Sequence, residues 1–273
     1  MEGLLSSSAP LILAGLGALL SDLSGALGIF IEGFMVMGAF FSWVFAGWMG
    51  SVFWGTLAGA ALAALTGWVL ARYTTWSGAN PFIAGLAFNL AASGITLSLS
   101  ASWFGTKGVL LNPAIILPGK NSFTYMALAF LIIISVFINK TVPGFRLRAS
   151  GLSPDAAPER GIRPGLYREI AWTLAAFLAS LAGAALTFRV GAYAPGGIAG
   201  RGWIALAIVY LGFKKTWGVA AAAIIFSFAE RLGYGGRIFG AIPPTLLLGL
   251  PSALALLLYY FSLLLKKNNT FEE

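Results

Sequence analysis

Few residues of this chain can do chemistry, and which ones are missing narrows the field. Its 273 residues hold nine Asp or Glu, seventeen Lys or Arg, and neither His nor Cys. Without Cys there is no disulfide and no thiolate metal site. Without His, and with so few acids, most metal and acid–base chemistry is removed as well. Glu32 stands in the apolar run Ile29-Phe-Ile-Glu-Gly-Phe-Met-Val-Met-Gly. A charge at the centre of a bilayer costs about 2.5–3.5 kcal/mol on insertion scales. Glu32 therefore either caps a helix at its positive N-terminal end or serves a path through the membrane. Asn89 and Ser93 are four residues apart and share one helix face. That face either lines a polar path or hydrogen-bonds a neighbouring helix; the sequence leaves both open.

The charged island from Lys140 to Glu169 carries the densest information. It holds Lys140, Arg146, Arg148, Arg160, Arg163 and Arg168 with Asp155, Glu159 and Glu169, between long apolar runs. Short loops rich in Lys and Arg resist translocation, so this one belongs on the cytoplasmic face. Within it, Gly151-Leu-Ser-Pro154-Asp155-Ala156-Ala157 followed by Gly161-Ile162 predicts a short helix held against something on that face. Pro154 suits a first helical turn, Ala156 and Ala157 allow close approach, and Gly161 can end the helix with a positive φ. Pro158 would shorten it to little more than a turn.

The elements that must position these residues are membrane spans. The chain is 59% hydrophobic and 10% charged, against about 25% charged in an ordinary soluble domain. Continuous apolar runs near the length that crosses roughly 30 Å of hydrocarbon recur throughout, which excludes a barrel's alternation. Nine spans are predicted, at 9–25, 29–48, 51–72, 82–103, 123–140, 167–188, 202–213, 217–232 and 245–265. The fold expected is all-α: one polytopic domain, 1–273, of about nine transmembrane helices. Arg72, the island, Lys214-Lys215 and Lys266-Lys267 fall on one side, which is therefore cytoplasmic, with the C-terminus inside and the N-terminus outside. Lys107, Lys120, Arg189, Arg201, Arg231 and Arg237 fall on the other. The net charge of +8 sits at span ends, where it meets lipid head groups; nucleic acid is not an expected partner. Asp22 reads as an interfacial loop residue, and Glu230-Arg231 as a neighbouring pair at a helix end. The Gly-rich segment between Arg189 and Arg201 has no phosphate-loop spacing and suits a docking surface or a re-entrant turn. No cleavable signal peptide is expected.

The chain also echoes itself. Trp54-Gly-Thr-Leu-Ala-Gly-Ala returns as Trp217-Gly-Val-Ala-Ala-Ala-Ala, Glu32-Gly33-Phe34 as Arg201-Gly202-Trp203, and Asn80-Pro81 as Pro243-Pro244, at offsets of 163 or 169. Spans one to four would then repeat as six to nine, in opposite orientation. The repeats, 9–104 and 167–265, flank a central span at 123–140, with the cytoplasmic loop at 140–169. Inverted repeats are a recurring construction of transporters.

The ordered motifs resemble a known family. They are Pro10-Leu-Ile-Leu-Ala-Gly-Leu-Gly, Gly28-Ile-Phe-Ile-Glu32-Gly33, Gly85-Leu-Ala-Phe-Asn89-Leu, Trp103-Phe104-Gly105-Thr106, Leu147-Arg148-Ala149-Ser150-Gly151 through Ile162, Ala199-Gly200-Arg201-Gly202-Trp203, and Pro243-Pro244 through Pro251. Together they resemble the branched-chain-type ABC importer permeases, nearest the nucleoside and simple-sugar permeases. The resemblance implies that Gly151, Pro154, Asp155, Ala156, Ala157, Gly161 and Ile162 form a coupling loop seated in a cytoplasmic ATPase. It implies partners: the ATPase subunits, a second and different permease, and an extracytoplasmic binding protein. The chain itself would bind no cofactor or metal and catalyse nothing, ATP being hydrolysed on the partner subunit. Glu32, Asn89 and Ser93 are the candidates for the substrate path. A bacterial cell membrane is the expected site, and nucleosides the leading substrate class, ahead of sugars and riboflavin. It would begin directly at the first repeat, without the additional N-terminal span of longer relatives. A secondary transporter is the rival reading, but it needs intramembrane acids or His for ion coupling, and little beyond Glu32 is offered.

Overall fold

A computed structural model describes residues 2–234, apart from Ala114, Ile116, Pro118, Lys120 and Ala199. The predicted span at 245–265, with Pro243-Pro244, Arg237 and Lys266-Lys267, lies outside the described residues. The elements are α1 (Glu2–Leu23), α2 (Ile31–Met49), α3 (Val52–Ser77), α4 (Pro81–Phe104), α5 (Ser122–Lys140), α6 (Val142–Leu152), a 3-10 turn (Pro158–Arg160), α7 (Pro164–Val190), α8 (Arg201–Leu211) and α9 (Thr216–Tyr234). Six of these helices, α1 to α5 and α7, are long and apolar enough to cross a membrane. With 11 residues, α8 reaches only about 16 Å and cannot cross alone. The island, expected as a loop, contains the helix α6.

Small residues let the helices touch backbone to backbone, the usual means of holding helices together in lipid. Gly38 lies on Ser180 and Gly183 on Met35, leaving no room for a Cβ between α2 and α7. Phe30 meets Trp172 at 4.4 Å at one end of this contact, and Trp43 meets Phe188 at 5.7 Å at the other. α2 and α7 therefore run parallel. α1 is antiparallel to them, because Gly17 packs on Ala175 while Arg189 reaches Ser7. α3 returns alongside, Gly55 on Ala46, Gly59 on Ser42 and Gly67 on Ala176. α4 buries only the stripe Gly85, Ala92, Thr96 and Ser100, turned toward α2.

The ends sort by charge as the sequence implies. Arg72 pairs with Glu169 at 3.1 Å, Lys214 with Asp22 at 2.8 Å, and Gly151 rests on Leu23 and Gly25. Arg72, the island and Lys214 thus share one face, while Arg189 and Arg231 stand with Ser7 and Gly3 on the other.

Two helices begin inside the bundle. Trp172, beside the start of α2, lies roughly 12 Å along α7 from its first residue. α8 begins against α2: Gly202 sits on the backbone of Glu32. It ends where the Tyr210 hydroxyl donates to Asp22 at 3.2 Å. The segment 191–200 must therefore descend from the far end of α7 to the level of Glu32. It is held on the way by the Leu110–Tyr193 bridge, N–O 2.8 and 3.1 Å, and by Tyr193 packed on Phe40 at 5.2 Å. That course is the one a re-entrant turn would take.

Candidate functional site

The cytoplasmic site is built from α6 and the turn that follows it. Thr141 caps α6, its Oγ1 accepting from Gly144 N–H at 3.2 Å, with Pro143 in the first turn. After α6 the chain makes a single α-turn, Ala157 N–H donating to Ser153 O at 3.0 Å. It then tightens into the 3-10 turn, Gly161 N–H donating to Pro158 O at 2.9 Å. Pro158 has no N–H to extend the α-pattern, so the expected short helix is no more than a turn. Gly161 ends it at φ +69°, a conformation glycine adopts without steric cost.

Burial divides the predicted coupling residues. Ala157 is 4% exposed and Ile162 8%, and both face inward. Pro154, Asp155, Ala156 and Gly161 are exposed, and Gly151 is half-buried under the end of α1. Ala157 is therefore an anchor of the turn and not part of its outer surface. Beside it runs a cavity of about 410 Å³ lined by Phe145, Arg148, Leu152, Ala156, Arg160 and Ile162. Val142, Phe145 and Leu152 expose an apolar stripe on α6 that the sequence reading missed. The signal was present in Thr141-Val142-Pro143, a cap followed by a first-turn proline.

The intramembrane candidates come together only in part. Glu32 lies in the first turn of α2 and also at the first turn of α8, between two positive helix ends. Its Oε1 accepts from Gly200 N–H at 3.0 Å, and its Oε2 is buried with no partner among the described residues. Asn89 serves the same junction from α4: its Oδ1 accepts from Gly33 N–H at 2.7 Å and its Nδ2 donates to Ile29 O at 2.7 Å. Both functions of the amide are spent on the start of α2, which accords with the helix-bonding alternative. Ser93 is exposed on α4, and among the described residues no hydrogen bond joins its side chain to this junction.

Two charge assignments change. Glu230 pairs with Arg201 at 2.9 Å, across 29 residues, and not with its neighbour Arg231, which packs over Gly3. Asp22 is an ion-paired residue at the end of α1.

The sequence matches a known family along nearly its whole length. The description "Branched-chain amino acid transport system / permease component" matches residues 1–266. The chain belongs to that permease family. The guanosine ABC transporter permease protein NupQ of Bacillus subtilis is 30% identical over 284 residues, covering 92% of this chain and 87% of the relative. The nucleoside ABC transporter permease protein NupC of Lactococcus lactis is 29% identical, covering 88% and 84%. A second Lactococcus protein, the nucleoside ABC transporter permease protein NupB, is 29% identical over 121 residues, 44% of this chain and 33% of the relative. No solved structure matches. This permease is thus the transmembrane subunit of an ATP-driven importer, a multi-pass protein of the bacterial cell membrane and not itself an enzyme. ATP is used by a partner ATPase.

Proposed function

We propose that this permease imports nucleosides. The observation that carries the reading is similarity along nine-tenths of the chain to NupQ, together with NupC, both named as nucleoside or guanosine permease proteins. The exposed turn Pro154-Asp155-Ala156, with Gly161 closing it, seats in a cleft of the ATPase. Gly151, Ala157 and Ile162 tie that turn to the bundle, so that its displacement reaches α1 and α7. Alternating access follows as the two halves tilt about the junction at Glu32.

Three features support the inverted repeat, 9–104 against 167–265. α2 and α8 both begin inside the bundle and meet at their first turns. α3 packs on α7, as α9 packs on α1. Gly55 and Gly218, equivalent at the offset of 163, both sit in close backbone contacts. A second, different permease covers the outer side of α4. There Ser93, Gly94 and Ser98 are exposed, a small polar face of the kind that packs on another helix in lipid. Ser93 borders the route along that seam, with Asn89 and Glu32 behind it. An extracytoplasmic binding protein delivers substrate to the face bearing Arg189 and Arg231.

The test is uptake of radiolabelled guanosine, ribose and riboflavin by the reconstituted complex. Guanosine uptake that depends on ATP and on the binding protein is the expected result. Ribose or riboflavin uptake with none of guanosine would overturn the substrate class and leave the permease assignment standing.

A further inference from the structure

On the cytoplasmic face, a cavity of about 600 Å³ opens between the α3–α4 turn, the α1–α2 turn and the start of α7. It is lined by Gly25, Thr74 to Thr75, Gly78 to Pro81, Pro164, Gly165 and Arg168, and none of these is an acid. Two long helices, α4 of 24 residues and α7 of 27, start at its wall. Their first N–H groups have no intrahelical partner, and their dipoles add positive potential there. Asn80 caps α4 through Phe82 N–H at 2.9 Å, whereas no side chain caps α7.

Arg168 lines the same space. Among the described residues its Nε and the Thr75 hydroxyl have no hydrogen-bond partner, and Arg168 has no ion pair. The nearest acid in sequence, Glu169, is already paired with Arg72. Arg168 and the two helix N-termini thus give the cavity positive potential, with no acid in its lining to balance it.

We infer that this cavity binds a phosphate group, and that its source is the head group of an anionic phospholipid of the cytoplasmic leaflet. Arg168 donates to the phosphate oxygens in the charge-assisted geometry guanidinium favours. The Thr75 hydroxyl and the free N–H groups at the start of α7 add donors. Basic pockets between transmembrane helices on the cytoplasmic side suit such head groups. The surroundings suit the rest of the lipid: Tyr73, Trp76, Phe82 and Ile83, on the same helix ends, are each more than half exposed. Aromatic side chains at this level are those that settle at the membrane interface. A free phosphate ion would make no use of that apolar flank.

The full permease, assembled with its ATPase in nanodiscs of mixed phosphatidylglycerol and phosphatidylcholine, is released into detergent, and lipid retained per permease is counted by mass spectrometry. Phosphatidylglycerol should be retained over phosphatidylcholine, with a drop of roughly fivefold in Arg168→Gln and a smaller drop in Thr75→Val. Arg168→Lys should recover part of the loss. Melting curves in detergent form the second arm: added phosphatidylglycerol should raise the midpoint of the wild type but not of Arg168→Gln, while inorganic phosphate should do little. Equal retention in wild type and Arg168→Gln overturns the site. Stabilisation by inorganic phosphate as large as that by lipid overturns the lipid source. Retention only after the ATPase is stripped away shows a protein contact in its place. None of these readouts depends on the transported substrate.

Discussion

Ala156 and Ala157 are neighbours with opposite duties. Ala156 is on the outside of the coupling turn and Ala157 is 4% exposed beneath it. Ala156→Arg should leave the permease folded while lowering substrate-stimulated ATP hydrolysis and uptake together. Ala157→Arg should instead lower the melting temperature, since a buried charge without a partner is strongly destabilising. Normal coupling in a well-folded Ala156→Arg protein would remove the turn from the mechanism. Asn89 is the second test at this scale. Asn89→Leu deletes two hydrogen bonds to the start of α2, each worth about 0.6 kcal/mol in membranes on average. A melting temperature lowered by a few degrees is expected; loss of uptake with unchanged stability would assign Asn89 to the path instead. The residue type and its place on α4 were legible in the sequence. Its partners were not, because Ile29 and Gly33 lie 60 and 56 residues away. The partner of Glu230 is illegible for the same reason: Arg231 is its neighbour in sequence, whereas Arg201 reaches it only through the packing of α8 on α9.

At the scale of elements, hydrophobic run length carried most of the information. The predicted spans at 29–48, 82–103 and 123–140 agree within two residues with α2, α4 and α5. Runs bounded by Gly, Pro and Asn declare their own ends. α1 begins before the expected span at 9–25, because the Ser-rich stretch before Ala9 continues the helix. Depth was the illegible quantity: no local pattern states that α2 and α8 begin inside the bundle. Gly202 holds that geometry, with Glu32 backbone where its Cβ would be. Gly202→Val should push α8 away from α2 and break the Glu32–Gly200 hydrogen bond. A loss of about 1–3 kcal/mol, usual for overpacking, is expected in thermal unfolding. A Gly202→Val permease of unchanged stability would mean that α8 seats elsewhere.

For the whole molecule the decisive property is sidedness. The ion pairs Arg72–Glu169 and Lys214–Asp22 join the ends of α3, α7, α8 and α1 on the island's side. The start of α5 lies at the opposite end, where Phe123 stacks on Phe188 at 6.2 Å. Ser153 and Ser122 are both exposed, and the chain has no Cys. A cysteine at Ser153 should react with an impermeant thiol reagent only from the cytoplasm, and one at Ser122 only from outside. Labelling of both from one side would overturn the order of spans and the inverted repeat with it.

The descent of residues 191–200 into the bundle also constrains how the protein is made. Backbone without regular hydrogen bonds is tolerated at membrane depth only where protein surrounds it. The partners of this segment, Leu110 and Glu32, belong to the first half of the chain. An 11-residue α8 is too short for the translocation machinery to accept as an independent span. The second half is therefore expected to complete its insertion only once the first half is in place to receive it.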